Sequence, residues 1–72
     1  MQTSDVFIER LNELLDKRSI NAVAKEMGIC QPTLHRYMKG ERIPNIVALA
    51  KIANYFNVSA DWLLGLKKYE EE

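Results

Sequence analysis

The strongest constraint in this 72-residue chain is the order of small, apolar and glycine positions between residues 20 and 39. Ile20, Ala24, Gly28, Ile29, Leu34 and Tyr37 fit two short helices joined by a tight turn and packed across one another. Each place has a steric reason. Ala24 must be small because the second helix crosses close to it. Gly28 follows Met27, the last inward residue of the first helix of the pair, where a left-handed backbone is cheap only without a Cβ. Ile29, Leu34 and Tyr37 supply the apolar contacts that fix the crossing. This packing leaves the outer face of the second helix free to project from the domain.

Around this unit the helical period is easy to follow. Thr3 and Ser4 offer capping oxygens, and Asp5 and Glu9 sit near the positive end of a first helix expected from Ser4 to Lys17. Phe7, Leu11, Leu14 and Leu15 form one stripe on it, with Ile8 alongside. Ser19 caps the helix Ile20 to Met27. The helix Gln31 to Lys39 tolerates Pro32 because first-turn amides have no intrahelical partner, and Gly40 ends it. Leu34, Tyr37 and Met38 form its inner face. Asn45 caps a fourth helix whose apolar set is Ile46, Leu49, Ile52, Ala53 and Phe56. Asn57 follows it, Val58 anchors the turn, and Ser59 caps a last helix, Ala60 to Leu64, stopped by Gly65. No strand alternation and no internal repeat is present.

The net charge is zero, but the charge is unevenly placed. Residues 1–16 carry one cation against four anions. Residues 17–42 carry Lys17, Arg18, Lys25, Arg36, Lys39 and Arg42 against Glu26 and Glu41. Residues 43–72 return to a slight acidic excess. A basic island in an acidic chain is the asymmetry that phosphate binding requires. Other chemistries find little support. Cys30 is the single cysteine and His35 the single histidine, too few for a disulfide or a zinc site. His35 has no Ser-His-Asp constellation or convergent carboxylates around it. No apolar run approaches the roughly 20 residues needed to cross a bilayer. No enzyme activity, cofactor or metal is expected, and a cytoplasmic, nucleoid-associated location is.

The 20–39 unit, the stretch Gly40-Glu41-Arg42-Ile43-Pro44, then Leu49, Ile52-Ala53, Phe56 and Val58-Ser59-Ala60-Asp61-Trp62-Leu63-Leu64-Gly65 together resemble the lambda-repressor-like, Cro-type (XRE) helix-turn-helix family. The resemblance implies an all-α, compact five-helix DNA-binding domain over residues 1–66, followed by an acidic and frayed tail, 67–72. It also implies a phage- or prophage-type repressor that binds an inverted-repeat operator in double-stranded DNA as a homodimer. The recognition helix, 31–39, would lie in the major groove, with the two copies about one DNA turn apart. By position, Gln31, Pro32, Thr33 and Arg36 match the family's base-edge readers, and His35 shares their face. The chemistry agrees: Gln pairs bidentately with adenine, Arg with guanine, Thr bonds a base edge or touches a thymine methyl, and Pro offers an apolar contact. Phosphate contacts are expected from Ser19, Asn21, Lys39, Arg42 and Asn45. Val47, Tyr55, Leu64 and Leu66 form a candidate dimer surface.

The departures from the family pattern are specific. Ile20 stands where a Gln usually contacts phosphate, leaving Asn21 as its substitute. Leu15 and Met38 stand where the family often pairs an Arg with a Glu. An apolar pair replaces a buried ion pair without loss of stability. Cys30 stands where a Ser or Thr usually caps the recognition helix. A second reading is an interaction module, or an antitoxin-type regulator, that binds a toxin or other protein partner. The polar, basic outer face of the second helix favours DNA over that reading.

Overall fold

The computed structural model describes residues 3–66, and the tail expected over 67–72 lies outside the described residues. Five helices follow in order: α1 Thr3–Leu15, α2 Ile20–Met27, α3 Gln31–Lys39, α4 Ile46–Phe56 and α5 Ala60–Leu63. Among the described residues there is no strand. α3 packs on both α1 and α2, α5 packs on α1 and α4, and α2 also meets α4. The arrangement is one shell of short helices around a shared apolar centre.

That centre holds Phe7, Leu11 and Leu15 from α1, Val23, Ala24 and Met27 from α2, and Leu34 and Tyr37 from α3. Ala48, Ile52 and Ala53 from α4 and Leu63 from α5 complete it. Leu11, Leu15, Leu34, Ile52 and Leu63 are the largest side chains wholly removed from water. At roughly 25 cal/mol per Å² of apolar area buried, these five contribute a large part of the driving force of so small a domain. Ile8, Leu14, Ile29, Met38, Leu49, Phe56, Val58 and Trp62 pack around them, partly buried.

The helix ends follow from local chemistry. Ser19, Asn45 and Ser59 each accept a backbone N–H through the side chain, from Ala22, Ala48 and Trp62 respectively. α2 and α3 close on Gly28 and Gly40, both left-handed, with φ 83° and 78°. Asn57 takes the same role after α4 at φ 59°, a conformation Asn tolerates better than other residues with a Cβ.

Three expectations need correction. The first helix ends at Leu15, not Lys17, because Asp16 turns the chain at φ 40°. The last helix ends at Leu63, and Leu64 is its capping residue. Ile46 is 85% exposed and not part of the apolar set of α4; Ala48 is buried instead. The cause is phase. Ala48, Ile52 and Ala53 fix the inward direction of α4, and Ile46 lies about 100° around the helix from its centre, at the margin of that face.

Candidate nucleic-acid interface

The recognition surface is built from the residues that α3 does not spend on the core. Leu34 and Tyr37 are buried and Met38 is partly buried. Gln31, Pro32, His35, Arg36 and Lys39 fall at i, i+1, i+4, i+5 and i+8, which is the opposite face of a 3.6-residue helix. Pro32, His35, Arg36 and Lys39 are exposed, Gln31 is half-buried at one edge, and Thr33 is half-buried on the flank nearest the core. The five base-contact candidates thus lie on one short helix, with Gln31 and Thr33 the half-buried two.

The start of α3 is chemically distinct from the other helix starts. Cys30 occupies the cap position with extended backbone, φ −62° and ψ 139°, and its side chain makes no capping hydrogen bond. Pro32 follows in the first turn and has no N–H to offer.

The phosphate-contact candidates flank this helix. Ser19 and Asn21 are exposed at the start of α2, Lys39 and Arg42 are exposed at and after the end of α3, and Asn45 is exposed at the start of α4. Two of them also act as caps. Ser19 Oγ accepts from Ala22 N at 3.3 Å, and Asn45 Oδ1 accepts from Ala48 N at 2.8 Å. In each case the acceptor is spent on the backbone, and the O–H or NH₂ is what remains to donate to a phosphate oxygen.

Two side chains that sequence reasoning passed over hold the C-terminal end of α3 and the turn that precedes it. Asn12 Nδ2, on α1, donates to Ile8 O at 2.8 Å and to Met38 O at 3.1 Å. Lys51 Nζ, on α4, donates to Gly28 O at 3.2 Å, in the turn before α3. Both are exposed and polar, so nothing in the apolar pattern singled them out. One turn further along α4, the Tyr55 hydroxyl donates to a Glu26 carboxylate oxygen, and its ring meets Phe56 edge to face at 5.0 Å. That hydrogen bond raises the Tyr55 pKa above its ordinary value, with smaller contributions from desolvation and the Glu26 charge.

The candidate dimer residues separate into two kinds. Val47 and Leu66 are 61% and 67% exposed, while Tyr55 and Leu64 are half-buried. Among the described residues, Ile43 and Ile46 are the most solvent-facing large apolar side chains. Ile43 and Leu64 line one groove with Ile8, Pro44 and Leu49.

A five-helix shell that presents one short helix by its polar face, after a Gly-headed turn, defines a helix-turn-helix domain. The match to family models agrees: the helix-turn-helix model aligns with residues 8–63, and the chain belongs to that family, the Cro- and lambda-repressor-like group. The chain is 38% identical over 72 residues to an HTH-type transcriptional regulator of Haemophilus influenzae, spanning 99% of this chain and 30% of that protein. It is 36% identical over 66 residues to the HTH-type transcriptional regulator AnsR of Bacillus subtilis, spanning 89% of this chain and 57% of AnsR. The chain therefore covers between about a third and somewhat over half of the length of these curated relatives. No solved structure gives a significant match.

Proposed function

We propose that this chain is a sequence-specific double-stranded DNA-binding transcriptional regulator of the repressor type. It reads an inverted-repeat operator as a homodimer in the cytoplasm, with α3 in the major groove. The observation that carries the reading is the division of α3 into a buried face, Leu34 and Tyr37, and a polar outer face bearing Pro32, His35, Arg36 and Lys39. An isolated polar helix face needs no Arg, Gln and Lys in register, whereas a base-reading helix does. The names of the relatives, both transcriptional regulators, point the same way.

In this reading Gln31, Pro32, Thr33, His35 and Arg36 face base edges. Ser19, Asn21, Lys39, Arg42 and Asn45 face the sugar-phosphate backbone on either side of the groove. Occlusion of a promoter by the bound dimer is the simplest regulatory consequence. For the dimer, Val47 and Leu66 supply exposed apolar contact, with Tyr55 and Leu64 beside them. Ile43 and Ile46 add to the apolar surface, and such patches on small domains mark interfaces.

The test is equilibrium binding to a selected duplex as a function of salt. Arg36→Ala is expected to relax base preference at one position of each half-site. Lys39→Ala is expected to weaken binding to all sequences alike and to lower the salt slope by about one per monomer. Equal effects of both substitutions on all sequences would contradict the assigned roles.

A further inference from the structure

We propose that Asn12 and Lys51 are positioning residues for recognition: Asn12 holds the C-terminal end of α3, Lys51 holds the turn that leads into it, and together they set its angle in the groove without touching DNA. The inference rests on the DNA-binding reading above and names what holds its reading element in place.

The argument starts from what the core does not fix. α3 is nine residues long and is held on the core chiefly by two buried side chains, Leu34 and Tyr37, with Met38 partly buried beside them. Apolar contact is non-directional, so these two leave a short helix able to rock about its own middle. Its ends need directional bonds. At the C-terminal end, Arg36 O and Tyr37 O are satisfied by the amides of Glu41 and Gly40, which leaves Met38 O outside the closing turn. Asn12 fills that place. One amide hydrogen goes to Ile8 O within its own helix, which fixes the rotamer, and the other goes across to Met38 O. At the N-terminal end the usual device is missing, because Cys30 makes no capping bond and Pro32 has no N–H. The turn that leads into α3 is tied from α4, where Lys51 reaches Gly28 O, the carbonyl of the residue that closes α2. Its ammonium also sits at the negative end of α2, where a cation is favoured.

One bond acts on the turn before α3 and the other on its last turn, 10 residues of chain apart between the Gly28 and Met38 carbonyls, and from two different supporting helices. Loss of either lets one end move while the core stays intact. Phosphate contacts tolerate such a shift. Bidentate base contacts do not, since they depend on direction as well as distance.

The experiment uses the full 72-residue chain and a duplex obtained by selection from random DNA, with a scrambled duplex of equal length as reference. Asn12→Ala, Lys51→Met and the double variant are compared with the parent for the ratio of selected-site to scrambled-site affinity. Lys51→Arg serves as the conservative variant that keeps both charge and donor. The expected result is a ratio lowered by about fivefold for each single variant. Scrambled-site affinity is unchanged for Asn12→Ala, melting temperatures stay near the parent's, and Lys51→Arg restores the ratio. A ratio unchanged in the double variant overturns the clamp while leaving the DNA reading intact. If the parent itself prefers no duplex over the scrambled one, the DNA reading fails and the clamp with it. Equal losses on both duplexes would mean that these residues act through charge or folding, which also overturns the proposal.

Discussion

The Arg10 guanidinium lies over the Trp62 ring, 4.7 Å from its centroid, and donates to the Trp62 carbonyl 52 residues away. One side chain thereby joins α1 to α5, the shortest helix, which has only four residues and cannot be stable on its own. Arg10→Ala is expected to lower stability by about 1–2 kcal/mol, from the lost cation–π contact and hydrogen bond together. Arg10→Lys is expected to recover less than half, because a point charge does not stack as a planar guanidinium does. Chemical denaturation followed by Trp62 fluorescence checks both; equal stability of the Lys variant and the parent would contradict the stacking account.

The start of α3 leaves room for improvement. A Ser at position 30 has an oxygen where Cys30 makes no capping bond, and that oxygen would accept from the Thr33 amide, since Pro32 has no N–H to donate. Cys30→Ser is expected to stabilise the domain by about 0.5–1 kcal/mol, a rise of a few degrees in melting temperature for a chain of this size. Cys30→Ala is expected to be close to neutral. A Ser variant no more stable than the Ala variant would contradict the cap argument.

Two left-handed glycines should differ in what they tolerate. A Cβ at Gly28 would meet only Lys51 Nζ, at 3.8 Å, so Gly28→Ala carries little beyond the left-handed backbone strain of about 1–2 kcal/mol. A Cβ at Gly65 would lie 2.8 Å from Val6 Cγ1 and within 3.2 Å of its Cβ and other methyl. A β-branched residue in a helix has one strongly preferred rotamer and cannot swing clear. Gly65→Ala is expected to cost at least about 1 kcal/mol more than Gly28→Ala in the same denaturation assay. The reverse order would mean that Val6 moves freely.

The Tyr55–Glu26 hydrogen bond predicts a pH effect with a definite sign. The Tyr55 pKa is raised in the folded state, so folding favours the neutral phenol. The stabilisation is complete below the ordinary tyrosine value of 10.0 and is lost as pH climbs through the higher folded value. Difference titration of phenolate absorbance between the parent and Tyr55→Phe should show Tyr55 ionising late. Glu26→Gln should bring it back toward its ordinary value, and an unshifted Tyr55 in the parent would contradict the bond.

How much of this was legible in the sequence follows the physics of each feature. The positions of Ala24, Gly28, Leu34 and Tyr37, the caps Ser19, Asn45 and Ser59, and the left-handed Asn57 were all readable, because each is a local or periodic requirement. The limits of α1 were less so, since a turn at Asp16 carries no compositional mark. Ile46 was misplaced because it lies at the margin of the apolar stripe, where periodicity alone does not tell a covered position from an uncovered one. Asn12 and Lys51 were invisible, because a polar side chain bonding a distant carbonyl has no spacing signature. Arg10 and Trp62 could be found only by knowing that α5 folds back on α1. For the interface, the outer face of α3 was legible as a face, while the recessed place of Thr33 was not.

The most direct measurement of the central claim is selection of binding sites from a random duplex-DNA pool, with sequencing of the retained molecules. The account predicts enrichment of an inverted repeat with half-sites about one helical turn apart, and loss of preference at one position of each half-site when the selection is repeated with Arg36→Ala. A pool that remains unenriched at low salt would contradict it.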